Sequence, residues 1–468
     1  MELTLEQYET ERKRLIEENA VPVSIVMDGR EKAADALLSA YKEELLVSYD
    51  GRFPFDFPIL TDEKLRESRL YAFCHLMPKG ADLHVHDMAL LPVSELIPLL
   101  LSHPEFCIDP VSAVLKVIPP EEKAPTGFVR FSEAMEKRLI SEKTLAEAWS
   151  FAGRKENDGD VWTFFEGLFD KQAAFSDSLS FVLDYYRRAF RYDRENGVQH
   201  VEIHIMLTDD VDLSEEYLKK IRQAYYEVKA EHPDFSLRII GAGVKADDSL
   251  LAMSKKCFLN TLIASESLFD ESEDGLKKPF VTGFDLVNEE DGSLPLHEFV
   301  PMLLKIKKRY PGLTLCVHGG ESLSMSNENL IDAYLLGAYR VGHGLNLYRY
   351  PALHSEFVKK EICLELCPVS NQKLGYTRDL RSHPAAEYLR TGMALALCSD
   401  DPGFMEYETL TDDFFAAAIA WDLSLADLKR LAINSILYST LDEKSKFDSL
   451  RAFRRRWEDF LSSIMPNN

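Results

Sequence analysis

Eight short β-rich runs alternating with helical stretches constrain this chain more than any other feature. The runs are Ala81–His86, Val198–Met206, Leu237–Val244, Val281–Val287, Leu313–Gly319, Arg340–Gly344, Ile362–Cys367 and Ala394–Ser399. Helical patterns lie between most of them, among them Leu213–Ala230, Leu250–Ser265, Pro295–Arg309 and Asn327–Leu336. Apolar strands that alternate with helices call for a parallel sheet covered on both faces. Eight such units predict an α/β fold, a closed (β/α)8 TIM barrel. An open doubly wound sheet is the alternative, but no glycine-rich phosphate loop follows the first run.

The flanks add to this barrel. Residues 1–75 read as an N-terminal helical extension, with helices over Glu11–Ala20, Arg30–Leu46 and Asp62–Leu76 and a turn-rich link at Phe53–Pro58. The barrel itself is placed at 76–440 and a C-terminal helix packed on it at 441–468. The first connection is too long: about 110 residues separate His86 from Val198, where a crossover needs a dozen or so. It holds a proline-rich patch at Ile118–Pro125, helices to about Ser150, a loop at Gly153–Asp160 and one long helix, Val161–Asn196. An insertion at about 104–159 accounts for the excess.

Charge and composition narrow the function. A net charge of −24 over 468 residues leaves no basic stripe to displace phosphate counterions, which argues against nucleic acid as a partner. No apolar run is long enough to span a membrane, so none is expected as a partner either. The first residues are charged and lack the apolar core of a signal peptide. Seven cysteines, an odd number with no CxxC, fit buried thiols in a reducing cytoplasm.

In a barrel, reactive groups collect at the C-terminal ends of the strands. His84 and His86, two apart on the first run, leave the same strand face. Taken alone, the pair is more often structural than metal-binding. However, the fifth run ends in Val317-His318-Gly-Gly-Glu321, the sixth carries His343, and the eighth ends in Ser399-Asp400-Asp401-Pro402. Four of eight strands then bear histidine or aspartate at one end. Three imidazoles and a carboxylate suit zinc with water completing the site. Zinc lowers the pKa of water towards 7. Glu321, His343 and Asp401 remain for proton transfer and substrate contact, as in a metal-assisted hydrolase. His200-Val-Glu202-Ile-His204 shares a strand face and offers a rival cluster; a second metal there competes with barrel-interior or substrate-facing roles. The cytidine-type zinc deaminase signature is absent.

His84-Val-His86-Asp87, His318-Gly-Gly-Glu321-Ser, Val341-Gly-His343-Gly and Ser399-Asp400-Asp401-Pro402 follow the order and spacing of the adenosine deaminase family, which the chain resembles. Met77-Pro-Lys-Gly80, Gly283–Asp291 and Leu364–Leu374 resemble further segments of that family. The N-terminal block, the insertion and the Trp162–Phe169 helix resemble its growth-factor-related subfamily. The resemblance implies one Zn²⁺ per chain on His84, His86, His318 and Asp400. It implies that Glu321 protonates the purine ring, that His343 holds and deprotonates the water, and that Asp401 binds the other purine edge. Asp87, Trp162, His204, Asn288 and Glu290 are expected to contact substrate; where Asn288 stands, the family normally has glycine. The implied reaction converts adenosine, and 2′-deoxyadenosine, to inosine-type products and ammonia. A homodimer through the N-terminal helices is also implied. Alternatives are a related barrel hydrolase acting on a modified adenosine or another purine, and a non-catalytic nucleoside-binding protein.

Overall fold

A computed structural model describes residues 5–18, 25–49, 63–155, 158–207, 210–245, 269–271 and 277–465. The eight expected runs form one parallel sheet in sequential order. We number its strands β1 (Gly80–His86), β2 (Val198–Ile205), β3 (Ser236–Val244), β4 (Val281–Val287), β5 (Thr314–Gly319), β6 (Arg340–His343), β7 (Cys363–Leu366) and β8 (Leu395–Leu397). The last strand returns to the first: Asp400 N–H donates to His84 O and His86 N–H to Asp400 O, each at 2.9 Å. This closes the barrel and abolishes its edges. The closure also joins the ends of β1 and β8, the two segments that carry His84, His86 and Asp400.

Strand ends agree with the periodicity to within two residues. Helices differ where a polar residue caps a new helix inside an apolar pattern. The expected long helix Val161–Asn196 is three pieces, Val161–Gln172, a 3-10 turn at Ala173–Asp177, and Leu179–Glu195. Ser178 breaks it by accepting the Phe181 N–H as an N-cap. Asp62–Leu76 likewise divides into Glu63–Arg66 and Arg69–Leu76, with Ser68 capping the second. Leu250–Ser265 and Phe53–Pro58 lie outside the described residues.

Between the helices Val93–Ser102 and Val161–Gln172 stands a small antiparallel sheet, Phe106–Ile108 flanked by Leu115–Val117 and Val129–Arg130. Strands of two or three residues leave no period to read, so the sequence did not predict it. Arg130 ties the proline-rich patch to this sheet, donating to the carbonyls of Ile118 and Pro119 at 2.7 Å each. Helices Gly29–Ser48 and Glu443–Ile464 pack together outside the barrel; Trp457 donates to Glu31 at 2.9 Å, and the Phe73 and Phe460 rings meet edge to face. No helix among the described residues is long and apolar enough to cross a membrane.

Candidate active site

The barrel interior is unusually polar at its centre. Arg340 on β6 is fully buried between Glu202 of β2, 2.7 Å away, and Glu365 of β7. Burial would raise both carboxyls, but the guanidinium charge, together with His200 beside Glu202 and His84 beside Glu365, outweighs it and holds both below the usual range. Glu365 in turn accepts from His84 Nδ1 at 2.7 Å. Replacing Arg340 with alanine strands two buried carboxylates. We expect a loss of about 3–5 kcal/mol of stability, seen as a lower urea midpoint at unchanged slope.

Above this layer four ligand-type groups converge. His84 Nε2 lies 3.1 Å from His318 Nε2 and 3.9 Å from Asp400 Oδ1, and His86 Nε2 lies 3.2 Å from the same oxygen. Ligand atoms about 2.1 Å from a zinc ion lie about 3–4 Å from one another. The donor set therefore fits a zinc-sized ion. The ring orientations fit as well. Glu365 holds His84 by Nδ1, and Asp285 holds His318 by Nδ1 at 2.7 Å, which turns both Nε2 atoms inward. Burial keeps these imidazoles neutral, as ligands must be: His84 lies well below its ordinary range and His318 is pushed down to about 3. Gly342 is required here, since a Cβ on it would stand 2.6 Å from His84 Cε1.

Glu321, His343 and Asp401 surround the cluster on the wall of a cavity of about 640 Å³. Burial, reinforced by the charges of Asp400 and Glu290, pushes the Glu321 carboxyl well above its ordinary range. Asp401 is raised for the same reasons, burial first and then Asp400. Both carboxyls are thus kept as neutral acids beside an ionised Asp400. His343 and Asp400 have left-handed backbones, φ 64° and 62°, as side chains at strained functional turns often do. Asn288 has φ 107°, a backbone conformation that glycine adopts without strain and other residues rarely do. The Asn288 side chain is tied to Ser293 Oγ at 3.0 Å.

The expected substrate residues divide. Asp87, Trp162, His204 and Asn288 line the cavity, and Glu290 does not. Asp87 accepts from the hydroxyls of Tyr186 and Tyr217, and Trp162 donates to Tyr376 at 2.9 Å. His204 and Glu290 are otherwise engaged. Both His204 nitrogens lie against oxygens, Asp285 at 2.7 Å and Leu83 O at 3.2 Å, which leaves neither for a ligand. Glu290 accepts the backbone N–H groups of Gly320 and Glu321 and the amides of Asn327 and Asn329. It anchors the Glu321 loop instead of facing the cavity. The rival cluster does not assemble: His200 pairs with Glu202, while His204 points to Asp285.

The sequence did not single out Asp285, Arg340, Glu365 or Asn371, whose amide donates to Glu321 Oε1 at 3.0 Å. Their signal was a charge or amide within an apolar strand or short turn, which a buried segment tolerates only with a partner. The comparisons with known proteins bear on the whole set. The sequence profile described as "Adenosine deaminase" matches residues 142–452. The chain belongs to the adenosine deaminase family. That family is one of hydrolases. Among its relatives, adenosine deaminase 2 of Dictyostelium discoideum is 27% identical over 98% of this chain and 88% of its own length. Two solved structures share the fold. Adenine deaminase from Arthrobacter aurescens is 21% identical with a TM-score of 0.57, covering 82% of this chain and 99% of its own. A zinc-bound amidohydrolase from Burkhoderia ambifaria is 14% identical with a TM-score of 0.58, covering 88% and 97%. The deaminase family assignment thus rests on the profile match and agrees with the barrel and its metal-type cluster.

Proposed function

We propose that the protein is a zinc-dependent deaminase of adenosine and 2′-deoxyadenosine. The observation that carries this reading is that Glu321 shares one cavity wall with His86, His318 and Asp400, with the buried His84 completing the cluster behind them. The zinc-bound structural neighbour and the relatives named adenosine deaminase support it.

Zinc on the four ligands supplies a Lewis acid and water of lowered pKa. The chain's own groups do the rest. Glu321 gives its proton to the ring nitrogen beside the amino-bearing carbon, which makes that carbon electrophilic. His343 faces the cluster with an unpartnered Nε2 and holds the attacking water. Asp401, kept neutral with an unpartnered Oδ1, presents a donor to the N7 edge of the purine. Water adds to the carbon; one of its protons replaces the one Glu321 gave up and the other passes to the amino group, the C–N bond breaks, and ammonia leaves.

The sugar end is read by Asp87 and Trp162. No lysine or arginine is among the described residues lining the cavity, and Glu166 is, which favours an uncharged nucleoside over a nucleotide. Burial pushes Asp87 up to about 6, with the two tyrosine hydroxyls pulling against it. Above that pH it is an ionised acceptor for a sugar hydroxyl, and below it the acceptor is lost. KM for adenosine is therefore expected to rise as pH falls through about 6, with kcat less affected; Asp87→Asn should raise KM at neutral pH and flatten this dependence.

Six buried, unpaired cysteines among the described residues support a cytoplasmic setting for this enzyme. A homodimer through the N-terminal helix belongs to the same reading, supported by Leu5 and Tyr8 exposed along it. The test is a panel of adenosine, deoxyadenosine, adenine and AMP with zinc measured alongside. Turnover of the nucleosides and not AMP is expected. No turnover of either nucleoside at high enzyme concentration would overturn the reading.

A further inference from the structure

One buried chain of hydrogen bonds reaches the active site from outside it. His383 follows the 3-10 turn Leu380–Ser382 and lies tilted against Trp421, with ring centroids 5.4 Å apart. It touches none of the groups assigned to chemistry. Its Nδ1 accepts the backbone N–H of Ala385 at 3.1 Å. Burial pushes this ring down to about 3, so it carries a single proton. A backbone N–H can only donate. Nδ1 is then bare, and the proton is on Nε2.

That proton points at Asn371 Oδ1, 3.2 Å away. The Asn371 amide is thereby fixed with oxygen towards His383 and nitrogen towards the site. Its Nδ2 carries two hydrogens and meets two acceptors, Glu321 Oε1 at 3.0 Å and His343 Nδ1 at 3.3 Å. Accepting there leaves the His343 proton on Nε2, the unpartnered nitrogen that faces the cavity. All four groups are buried.

We propose that His383 is a positioning residue: through Asn371 it sets which hydrogen-bonding face Glu321 and His343 show to the substrate. Glu321 is held by Oε1 as an acceptor. His343 meets the water with an Nε2–H donor, so it orients the water, in place of the base's role implied by the family resemblance. This rests on the deaminase reading for the roles of Glu321 and His343, but the proton positions do not depend on it.

Two measurements test it on the zinc-loaded, full-length protein. In the first, His383→Leu lowers kcat for adenosine by about 100-fold with KM and zinc content little changed, because Asn371 loses the bond that orients it. His383→Gln places an N–H donor where Nε2 stood and restores kcat to within about threefold of the parent. A role in packing alone predicts that glutamine is as damaging as leucine, and that outcome overturns the proposal, as does full activity of the leucine variant. In the second, neutron diffraction of the parent locates deuterium on His383 Nε2, Asn371 Nδ2 and His343 Nε2. Deuterium on His383 Nδ1, or an amide oxygen facing Glu321, overturns it whatever the substrate. If the zinc-loaded parent turned over neither nucleoside, the deaminase reading would fail while the proton positions still judged the relay.

Discussion

Glu321→Gln is expected to lower kcat by about 10³-fold, or about 4 kcal/mol of transition-state stabilisation, with zinc content and substrate affinity nearly unchanged. Glutamine preserves the size of the side chain and its acceptor oxygen towards Asn371, which donates to Glu321 at 3.0 Å. It cannot release a proton. The loss isolates proton donation from binding, because an interaction made only in the transition state affects kcat and leaves KM in place. The environment supports this assignment. Burial and the neighbouring charges of Asp400 and Glu290 hold the carboxyl protonated at neutral pH. On the alkaline side turnover should fall as Glu321 gives up that proton, and the glutamine variant's residual rate should lack this limb. Steady-state kinetics across pH, with metal analysis of each preparation, check both parts. A variant within tenfold of the parent would remove Glu321 from the reaction.

His84→Ala is expected to lose metal first and activity as a consequence. His84 is the hub of the cluster: its Nε2 is 3.1 Å from His318 Nε2, and its ring lies 5.2 Å from that of His86. It is also the ligand whose Nδ1 is tied through Glu365 to Arg340. Removing it deletes one of four donors and leaves Glu365 with one fewer donor in a buried layer. Zinc content should fall well below one per chain after dialysis, with activity down at least about 10³-fold. Added zinc should restore little. Full zinc occupancy in this variant would show that the four groups are not the metal site.

The barrel and this cluster were legible in the sequence for a shared reason. Strand periodicity fixes which residues share a face, and barrel closure brings all strand ends to one rim. His84, His86, His318, His343 and Asp400 therefore needed no long-range information beyond strand order. The supporting layer was different. Asp285, Glu365 and Arg340 stand on strands whose apolar neighbours dominate the pattern, and their partners lie on other strands, adjacent for Arg340–Glu365 and Asp285–His318 and more distant for Arg340–Glu202. Glu290 was assigned to substrate through the segment it belongs to, but segment identity does not say where a side chain points; His204 does line the cavity, with its two nitrogens already against oxygens. Glu290 turns back to the Gly320–Glu321 backbone, and His204 turns to Asp285. The broken helix at Ser178 shows the same limit locally: a cap is decided by one hydroxyl, against an apolar stripe that continues through it.

Product analysis with and without metal tests the central claim most directly. Zinc-loaded protein incubated with adenosine should yield inosine and ammonia in equal amounts, should stop when a chelator removes the zinc, and should resume when zinc is returned. Inosine formation at an undiminished rate by metal-free protein would contradict a metal-assisted reaction at His84, His86, His318 and Asp400. The absence of inosine from fully zinc-loaded protein would contradict the substrate.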